Sequence, residues 1–268
     1  MTVNKVLVFN SPKGRFKEND IKEVEAKLLE FGIESRRYAE AEGFDYDAVI
    51  VLGGDGTMLN AFPLAYNESK PILCINFGTL GYMSELEKSE LNMLSALKDG
   101  FETEKRMLIK VTAKRGNELI AQAIALNEAV VARPADGDIA FLELKCDNAA
   151  VCDYRADGVI VATPTGSSAY AMSAGGPIID TKLEAICVCP ICPHVMGARA
   201  MVFSPNSVLE IVNLNGENRT DNILVCDGKA VCQIKQGDVV KIERSDKYLE
   251  MIKIKKDAFY EILYKKMS

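Results

Sequence analysis

The chain carries one short run in which glycines surround a single acid. Residues 53–57 read Gly-Gly-Asp-Gly-Thr and follow the apolar run 48–52. This order predicts a buried strand that ends in a glycine turn at the start of a helix, where backbone N–H groups can converge on a phosphate. An acid in such a site would repel an anionic ligand, so its presence there indicates a chemical role. Asp55 is therefore expected to accept a proton from a hydroxyl that attacks a phosphoryl group, or to help hold a nucleotide's magnesium.

Two other segments place glycines or polar residues next to apolar runs. Residues 76–85 follow the third apolar run, and Gly78 and Gly81 predict a second loop that approaches the first one closely; a simple turn before a helix explains them equally well. Asn127 and Glu128 interrupt an apolar segment with an amide and an acid, a pair that could bind both hydroxyls of a ribose. Spacing alone favours an ordinary strand end at this position.

A third loop, residues 163–177, is rich in small hydroxyl residues and runs into a helix-like stretch. The pattern predicts another helix start that binds an anion, with Tyr170 available to stack or to hydrogen-bond. Helix capping also explains the same serines and threonines. Each loop alone is weak support for a ligand site, but three such loops and one acid-bearing turn in a single chain are hard to explain as turn chemistry.

The elements that must position these loops change character near residue 100. Before it, apolar strand-like runs alternate with helical stretches, which predicts a parallel sheet covered by helices. After it, short alternating segments such as 119–131 dominate and predict antiparallel strands. The predicted helical stretches are 19–31, 58–66, 89–98 and 258–266. The expected division is a Rossmann-like α/β domain (1–100), a sandwich-like β-rich domain (101–256) and a C-terminal helix (257–268) that returns to the first domain.

Composition and charge argue against several classes of function. The 268 residues carry a net charge of −6 and no basic stripe, which argues against nucleic-acid binding. Residues 158–179 carry no formal charge over a length that could span a membrane, yet their glycines, prolines and hydroxyls favour a site-lining loop and helix. Residues 1–5 lack the basic-then-apolar pattern of a signal peptide. A cytoplasmic protein without membrane or nucleic-acid partners is expected.

The eight cysteines are sparse for a disulfide scaffold in a chain of this length and are interpreted as reduced thiols. Cys187, Cys189, Cys192 and His194 lie within eight residues of one another and leave a tetrahedral zinc site open. The alternate spacing of Cys187 and Cys189 is typical of a strand that faces a core, and buried cysteine behaves as a small hydrophobic residue. The core interpretation is favoured, and no metal ligand is assigned.

The order of these motifs resembles the NAD kinase family over most of the chain. Residues 53–57 resemble its glycine-glycine-aspartate-glycine signature, and residues 127–128 stand where its ribose-binding pair is expected. Residues 155–177 are similar to the family's longest motif, with Ser168 in place of the more common threonine, a change that keeps the hydroxyl. Residues 190–194 also resemble a family segment, which weakens the zinc alternative because relatives have its cysteine and histidine without needing a metal.

The resemblance implies a transferase that phosphorylates the adenosine ribose 2′-hydroxyl of NAD with ATP or polyphosphate, giving NADP. Asp55 would draw the proton from this hydroxyl, and Mg2+ or another divalent ion would arrive with the phosphoryl donor. Asn127 and Glu128 would bind the ribose at the nicotinamide end, and Arg155 would lie near a phosphate. The phosphate-binding turn would comprise Gly53, Gly54, Gly56 and Thr57. The rest of the dinucleotide pocket would comprise Tyr82, Asp157, Thr165, Ser168, Ala169, Tyr170 and Ser173.

The family's sites are completed across subunits, so the resemblance also implies a homodimer or homotetramer. Diacylglycerol- and sphingosine-type lipid kinases and phosphofructokinases share the turn at 53–57, but residues 127–128 and 163–177 favour NAD kinase. A sensor that binds a dinucleotide without catalysis is the alternative from another class. The presence of Asp55 argues against it. The sequence leaves open the choice between ATP and polyphosphate as donor.

Overall fold

The structure is a computed structural model that describes residues 2–11, 17–195, 197–216, 219–256 and 258–267. The chain forms two compact units, one comprising Met1–Lys105 and Leu249–Ser268 and the other Arg106–Tyr248. Residue 1 and the two ends of the expected C-terminal helix range, residues 257 and 268, lie outside the described residues.

The first unit begins with alternating strands and helices. The 3-10 turn Tyr38–Glu40 follows its second strand, and a longer 3-10 segment, Lys88–Ser95, precedes its third helix. The elements are β1 (Lys5–Asn10), α1 (Glu18–Glu30), β2 (Glu34–Arg37), β3 (Ala48–Leu52), α2 (Asp55–Glu68), β4 (Ile72–Asn76), β5 (Leu86–Glu87), α3 (Ala96–Asp99) and β6 (Glu102–Arg106).

The second unit is built almost entirely of strands, after which the chain returns to the first unit. The second unit's elements are β7 (Ile109–Arg115), β8 (Glu118–Ala125), β9 (Glu128–Ala132), β10 (Ala140–Cys146), β11 (Ala149–Ala156), β12 (Gly158–Ala162), the 3-10 turn Gly166–Ser168, α4 (Tyr170–Ser173), β13 (Ile186–Ile191), β14 (Met201–Phe203), β15 (Leu209–Asn213), β16 (Asn222–Cys226), β17 (Lys229–Ile234) and β18 (Val239–Arg244). The returning segment holds β19 (Leu249–Lys253) and α5 (Ala258–Met267).

The sheet of the first unit has the order β2-β1-β3-β4-β19-β6, with β5 beside β4. β1 runs parallel to β2 and β3, and β4 runs parallel to β3, β5 and β19. Every residue of β3 and β4 is buried, as expected where helices cover both faces of a parallel sheet. The predicted α/β fold is confirmed. Since β3 and β4 are parallel neighbours, the loops after them emerge at the same edge of the sheet.

The second unit contains two antiparallel sheets of six strands. Their orders are β11-β10-β15-β18-β7-β8 and β14-β13-β12-β9-β16-β17. Alternate apolar residues of both sheets, such as Val111, Leu142 and Val161, share one core, which is the packing of a β-sandwich. On its other face the second sheet packs against α4, where Ile160, Cys189 and Ala171 belong to a smaller cluster. The predicted β-rich, sandwich-like region is confirmed.

Several local expectations differ from the structure. The predicted helix at 89–98 is mostly the 3-10 segment Lys88–Ser95, and the single segment expected at 119–131 is two strands that break at residues 126–127. β19 falls in the range expected to be β-rich but pairs with β4 in the first sheet. Short alternating apolar runs fix neither the helix type nor the sheet that a strand joins, because both depend on tertiary contacts.

Within the described residues, no helix combines the length and the apolar character needed to cross a membrane. The uncharged stretch 158–179, which was long enough to consider as a span, forms β12, a 3-10 turn and the four-residue helix α4.

Candidate functional site

The glycine-rich turn connects β3 directly to α2. Gly53 donates its N–H to the carbonyl of Ile75 on β4, at 2.9 Å, and a Cβ added to Gly53 would overlap the side chain of Thr57. Gly54 is the N-cap of α2, and Cβ atoms added to Gly54 or Gly56 would meet nothing within 4 Å. The turn is therefore tightly packed at its strand end and open at its helix end, where a ligand can approach the backbone.

Asp55 is the first residue of α2, and its carboxylate is held by the loop that follows β4. Oδ2 accepts the N–H of Tyr82 at 2.9 Å, and Oδ1 accepts the N–H of Met83 at 3.0 Å. Gly81 lies against the same carboxylate, since a Cβ there would overlap Oδ1. The two loops predicted from the sequence thus contact one another, and the contact fixes the orientation of the acid.

Two residues of the same loop carried no obvious signal in the sequence. The hydroxyl of Ser84 is buried and has no hydrogen-bond partner within the described part of the chain. Glu85 is 2% exposed, and its carboxylate accepts the backbone N–H groups of Ile254 and Lys255 together with the ammonium group of Lys253. The segment after β19 therefore anchors the loop that holds Asp55. This partner is about 170 residues away in the chain, so no local pattern reveals it.

In the second unit, Asn127 and Glu128 lie where β8 ends and β9 begins. Both are buried, at 5% and 7% exposure. Among the residues that the structure describes, the Asn127 Oδ1 and Glu128 Oε2 atoms have no hydrogen-bond partner. A Cβ on Gly166 would overlap the backbone of Asn127, so the loop after β12 packs directly on the pair. Two such buried acceptors side by side are suited to a ligand with two hydroxyl groups, each of which donates one hydrogen bond.

An acid that the sequence analysis missed holds this pair from behind. The Asp227 carboxylate, 9% exposed, accepts the backbone N–H groups of Leu126, Asn127 and Glu128 at 2.7, 2.8 and 3.1 Å. Burial, and then the charge of Asp227, raise the pKa of Glu128 to about 7, against a partial offset from the backbone N–H of Tyr170. Burial also raises the pKa of Asp227, although its three backbone hydrogen bonds act in the opposite direction.

The hydroxyl residues of the loop after β12 mostly bond to the protein itself. Ser167 Oγ bonds to the carbonyl of Pro164 and accepts the N–H of Ile179, and Ser168 Oγ donates to the carbonyl of Thr165 at 3.2 Å. The bonds to Pro164 and Thr165 run back to carbonyls three residues earlier. They differ from helix capping, since neither the described 3-10 turn nor α4 has a side-chain cap. Tyr170 differs, because its side chain is 45% exposed and available to a ligand.

Asp157 and Arg155 make contacts with side chains that the sequence did not indicate. Asp157 accepts a hydrogen bond from Nε of Arg133 at 2.7 Å. The two residues flank neighbouring antiparallel strands, whose register pairs Gly158 with the residue before Arg133. The guanidinium of Arg155 lies 4.9 Å from the ring centroid of Phe141. Both polar groups are therefore oriented by contacts across strands.

Cys187 and Cys189 are fully buried on β13, with their sulfur atoms 3.5 Å apart, in keeping with the predicted core spacing. Cys192 and His194 are exposed in the turn after that strand. Among the side chains that the structure describes, no three His, Cys, Asp or Glu residues converge closely enough to hold a metal ion.

Two protein-family models match this chain, and together they cover most of its length. Residues 5–102 match the ATP-NAD kinase N-terminal domain, and residues 126–254 match the ATP-NAD kinase C-terminal domain. The chain belongs to the NAD kinase family. NAD kinases phosphorylate NAD with ATP to give NADP, and this is the transferase activity of the chain.

Curated NAD kinases resemble the chain over most of its length. The NAD kinase of Desulforamulus reducens is 38% identical over 228 residues, which cover 84% of this chain and 78% of the relative. The NAD kinase of Caldanaerobacter subterraneus subsp. tengcongensis is 38% identical over 224 residues, covering 83% of this chain and 78% of the relative.

Solved structures of NAD kinases have the same fold. An NAD kinase from Archaeoglobus fulgidus in complex with ATP superposes with a TM-score of 0.78 at 25% identity, covering 98% of both chains. Yeast NADH kinase complexed with NADH superposes with a TM-score of 0.89 at 20% identity, covering 99% of this chain and 88% of the yeast chain.

The structure divides the NAD kinase residues named from the sequence between the two units. The first unit holds Gly53, Gly54, Asp55, Gly56, Thr57 and Tyr82, and the contacts of Asp55 bring these together. The second unit holds Asn127, Glu128, Arg155, Asp157, Thr165, Ser168, Ala169, Tyr170 and Ser173. There, Gly166 brings the loop of Thr165 and Ser168 against Asn127, whereas Arg155 packs on Phe141.

Proposed function

We propose that in this NAD kinase Asp55 is the general base that activates the 2′-hydroxyl of the adenosine ribose of NAD. The observation that carries this proposal is the setting of the Asp55 carboxylate at the start of α2, beside open glycines and fixed by two backbone N–H groups. NADP differs from NAD by one phosphate on this hydroxyl. The reaction therefore needs a hydroxyl that loses its proton and a donor phosphate aligned with it.

The proton transfer follows from the lone pairs of the carboxylate. Each oxygen of Asp55 accepts one backbone N–H and keeps a second lone-pair direction for a further hydrogen bond. As the 2′-oxygen bonds to the terminal phosphorus, its proton passes to Asp55, and the bond from that phosphorus to the leaving phosphate oxygen breaks. A positioned general base contributes about 10²–10⁴-fold to the rate.

The start of α2 supplies the binding site for the donor phosphates. The N–H groups of Thr57 and Met58 both donate to the carbonyl of Gly54, so the N–H groups before them are the ones that a helix start offers to an anion. Gly54 and Gly56 leave open space around this backbone. We assign the phosphate contacts to this turn, including Gly53 and Thr57, which pack against each other.

Mg2+ is expected to arrive with the phosphoryl donor. Mg2+ is usually held by one or two carboxylates together with substrate phosphates, and Asp55 is the acid at the phosphate-binding turn. A single acid beside open glycines fits a metal that the nucleotide brings with it. When bound, the ion neutralises charge on the phosphoryl group that is transferred.

The second unit is proposed to bind the dinucleotide. The unpartnered oxygens of Asn127 and Glu128 take the two hydroxyls of the nicotinamide ribose, and the exposed ring of Tyr170 is suited to stacking. By family resemblance the remaining contacts of this unit are assigned to Arg155, Asp157, Thr165, Ser168, Ala169 and Ser173. Tyr82 of the first unit, whose N–H binds Asp55, is assigned a nucleotide contact by the same resemblance. ATP in the archaeal structure and NADH in the yeast structure support a nucleotide donor and a dinucleotide acceptor. By the same resemblance we propose a cytoplasmic homodimer or homotetramer.

The test is an endpoint assay of the purified protein with NAD, Mg2+ and either ATP or polyphosphate, in which an NADP-specific dehydrogenase detects the product. NADP that forms with the parent and is lost in Asp55→Asn supports the proposal and identifies the donor. Binding of NAD without NADP formation from either donor would overturn it and favour a non-catalytic dinucleotide sensor.

A further inference from the structure

Asp227 occupies the two-residue turn between β16 and β17, where Cys226 pairs with Lys229. Its backbone φ is +47° and that of Gly228 is +75°, the left-handed geometry that Asp-Gly hairpin turns adopt. Such a turn does not require the aspartate side chain to be buried. Here the carboxylate is buried and turns back onto the segment before β9, which indicates a role beyond the turn.

We propose that Asp227 is a positioning residue for dinucleotide binding. By accepting the N–H groups of residues 126–128, it fixes the backbone that aims the Asn127 amide and the Glu128 carboxylate at the ribose hydroxyls. The inference rests on the proposed function of that pair.

The backbone of this segment is fixed from both sides. Its three N–H groups donate to the Asp227 carboxylate. The carbonyl of Leu126 accepts the hydroxyl of Thr163 at 2.6 Å, the carbonyl of Asn127 accepts the N–H of Thr163 at 2.8 Å, and the carbonyl of Glu128 accepts the N–H of Asp227 at 3.1 Å. Since every donor and acceptor of this backbone is used, the segment cannot rotate without breaking buried hydrogen bonds.

The side chains of the pair contrast with their backbone. Asn127 Oδ1 and Glu128 Oε2 are buried acceptors without partners among the described residues, an arrangement that is unfavourable unless a ligand completes it. A ribose diol offers two hydroxyl donors at close spacing. A fixed backbone that presents two such acceptors is pre-organised for this ligand, which lowers the cost of binding.

The charge of Asp227 also acts on Glu128. The groups that face this carboxyl are Asp227, whose charge disfavours ionisation, and the N–H of Tyr170, which favours it; the Cys226 thiol is close to both acids, and Lys229 acts on Asp227. The ionised form of Glu128 accepts a hydrogen bond from a ribose hydroxyl more strongly than the neutral acid does. NAD affinity should therefore rise as the pH increases through about 7, where Glu128 ionises.

Asp227→Asn tests the proposal with little change of shape. An amide has one acceptor oxygen for three donors and carries no charge. We expect the KM and the dissociation constant for NAD to rise by about tenfold or more at pH 7, with kcat within about threefold of the parent. Without the neighbouring charge, Glu128 ionises at lower pH, so the pH at which NAD affinity rises should also move down. A purely structural role for Asp227 would lower the melting temperature and leave the NAD dissociation constant unchanged.

Asp238→Asn is the matched control. Asp238 is a buried carboxylate of the same unit that accepts the N–H of Lys235 and both guanidinium contacts of Arg115, and it has no proposed part in binding. This variant should lower the melting temperature while leaving the NAD dissociation constant and its pH dependence unchanged. An Asp227→Asn protein with parental NAD affinity and pH dependence would overturn the inference.

Two further readouts keep the test decisive. If Asp227→Asn fails to fold, Thr163→Val removes the hydroxyl that donates to the Leu126 carbonyl and accepts the Gly166 N–H. It should raise the NAD dissociation constant about threefold; an unchanged constant would overturn the premise that the fixed backbone of residues 126–128 sets NAD affinity, and the proposal with it. NAD binding is measured by calorimetry without a donor, so a parent that binds NAD but makes no NADP would contradict the proposed function while the Asp227 comparison still stands. A parent that fails to bind NAD would overturn both.

Discussion

Two carboxylates in this chain use backbone N–H groups in opposite ways. Asp55 in the first unit accepts two N–H groups and is itself presented at the open helix start. Asp227 in the second unit accepts three and is buried, and the Asn127 and Glu128 side chains beside it each have an oxygen without a partner among the described residues. Hydrogen bonds from backbone N–H groups can therefore fix the orientation of an acid that reacts, or allow a buried acid to fix the orientation of neighbouring residues. Loss of the first should affect turnover, and loss of the second should affect affinity.

The largest expected effect tests the first half of this comparison. Asp55→Asn should reduce kcat by about 10²–10⁴-fold, because the amide cannot take the hydroxyl proton, while NAD binding and the fold persist. Steady-state kinetics and calorimetry with NAD measure the two quantities. Asp47→Asn is the control, since the Asp47 carboxylate also accepts two backbone N–H groups, from Asn4 and Lys5 at 2.8 and 2.9 Å, and has no proposed role. A near-parental kcat in Asp55→Asn would show that Asp55 is not the general base.

A smaller loss should follow when Asp55 is kept but displaced. A methyl group at Gly81 would overlap Oδ1 of Asp55, so Gly81→Ala should shift the carboxylate and lower kcat about 10- to 100-fold, the range that a misplacement of about 1 Å produces. Gly78→Ala in the same loop is the matched control, because a Cβ there meets nothing within 4 Å. The measurement is kcat for both variants. Equal kcat values in the two proteins would contradict the view that this loop sets the position of the base.

The two carboxylates also differ in how far the sequence could reveal them. Asp55 follows a continuous apolar run and lies among glycines, so the buried parallel strand and the helix start were readable locally, as was the parallel α/β fold. Asp227 gave no comparable signal, since the N–H groups that it binds are about 100 residues earlier in the chain. The Arg133 contact of Asp157 and the place of β19 were hidden for the same reason: strand pairing is set by tertiary packing.

Glu128→Gln should give the smallest effect and one that depends on pH. Because burial and Asp227 raise the pKa of Glu128 from 4.5 to about 7, the folded protein keeps a proton that the unfolded chain has released between these values. This contribution to stability is complete below about pH 4.5 and is lost as the pH rises toward 7, above which an ionised Glu128 destabilises the fold by roughly 1–3 kcal/mol. Glutamine cannot ionise, so urea unfolding should find the variant more stable than the parent at pH 8 and nearly equal at pH 5. The exposed Glu118→Gln is the control and should show no such difference between the two pH values. An equal stability change in Glu128→Gln at both pH values would mean that neither burial nor Asp227 raises the pKa of Glu128.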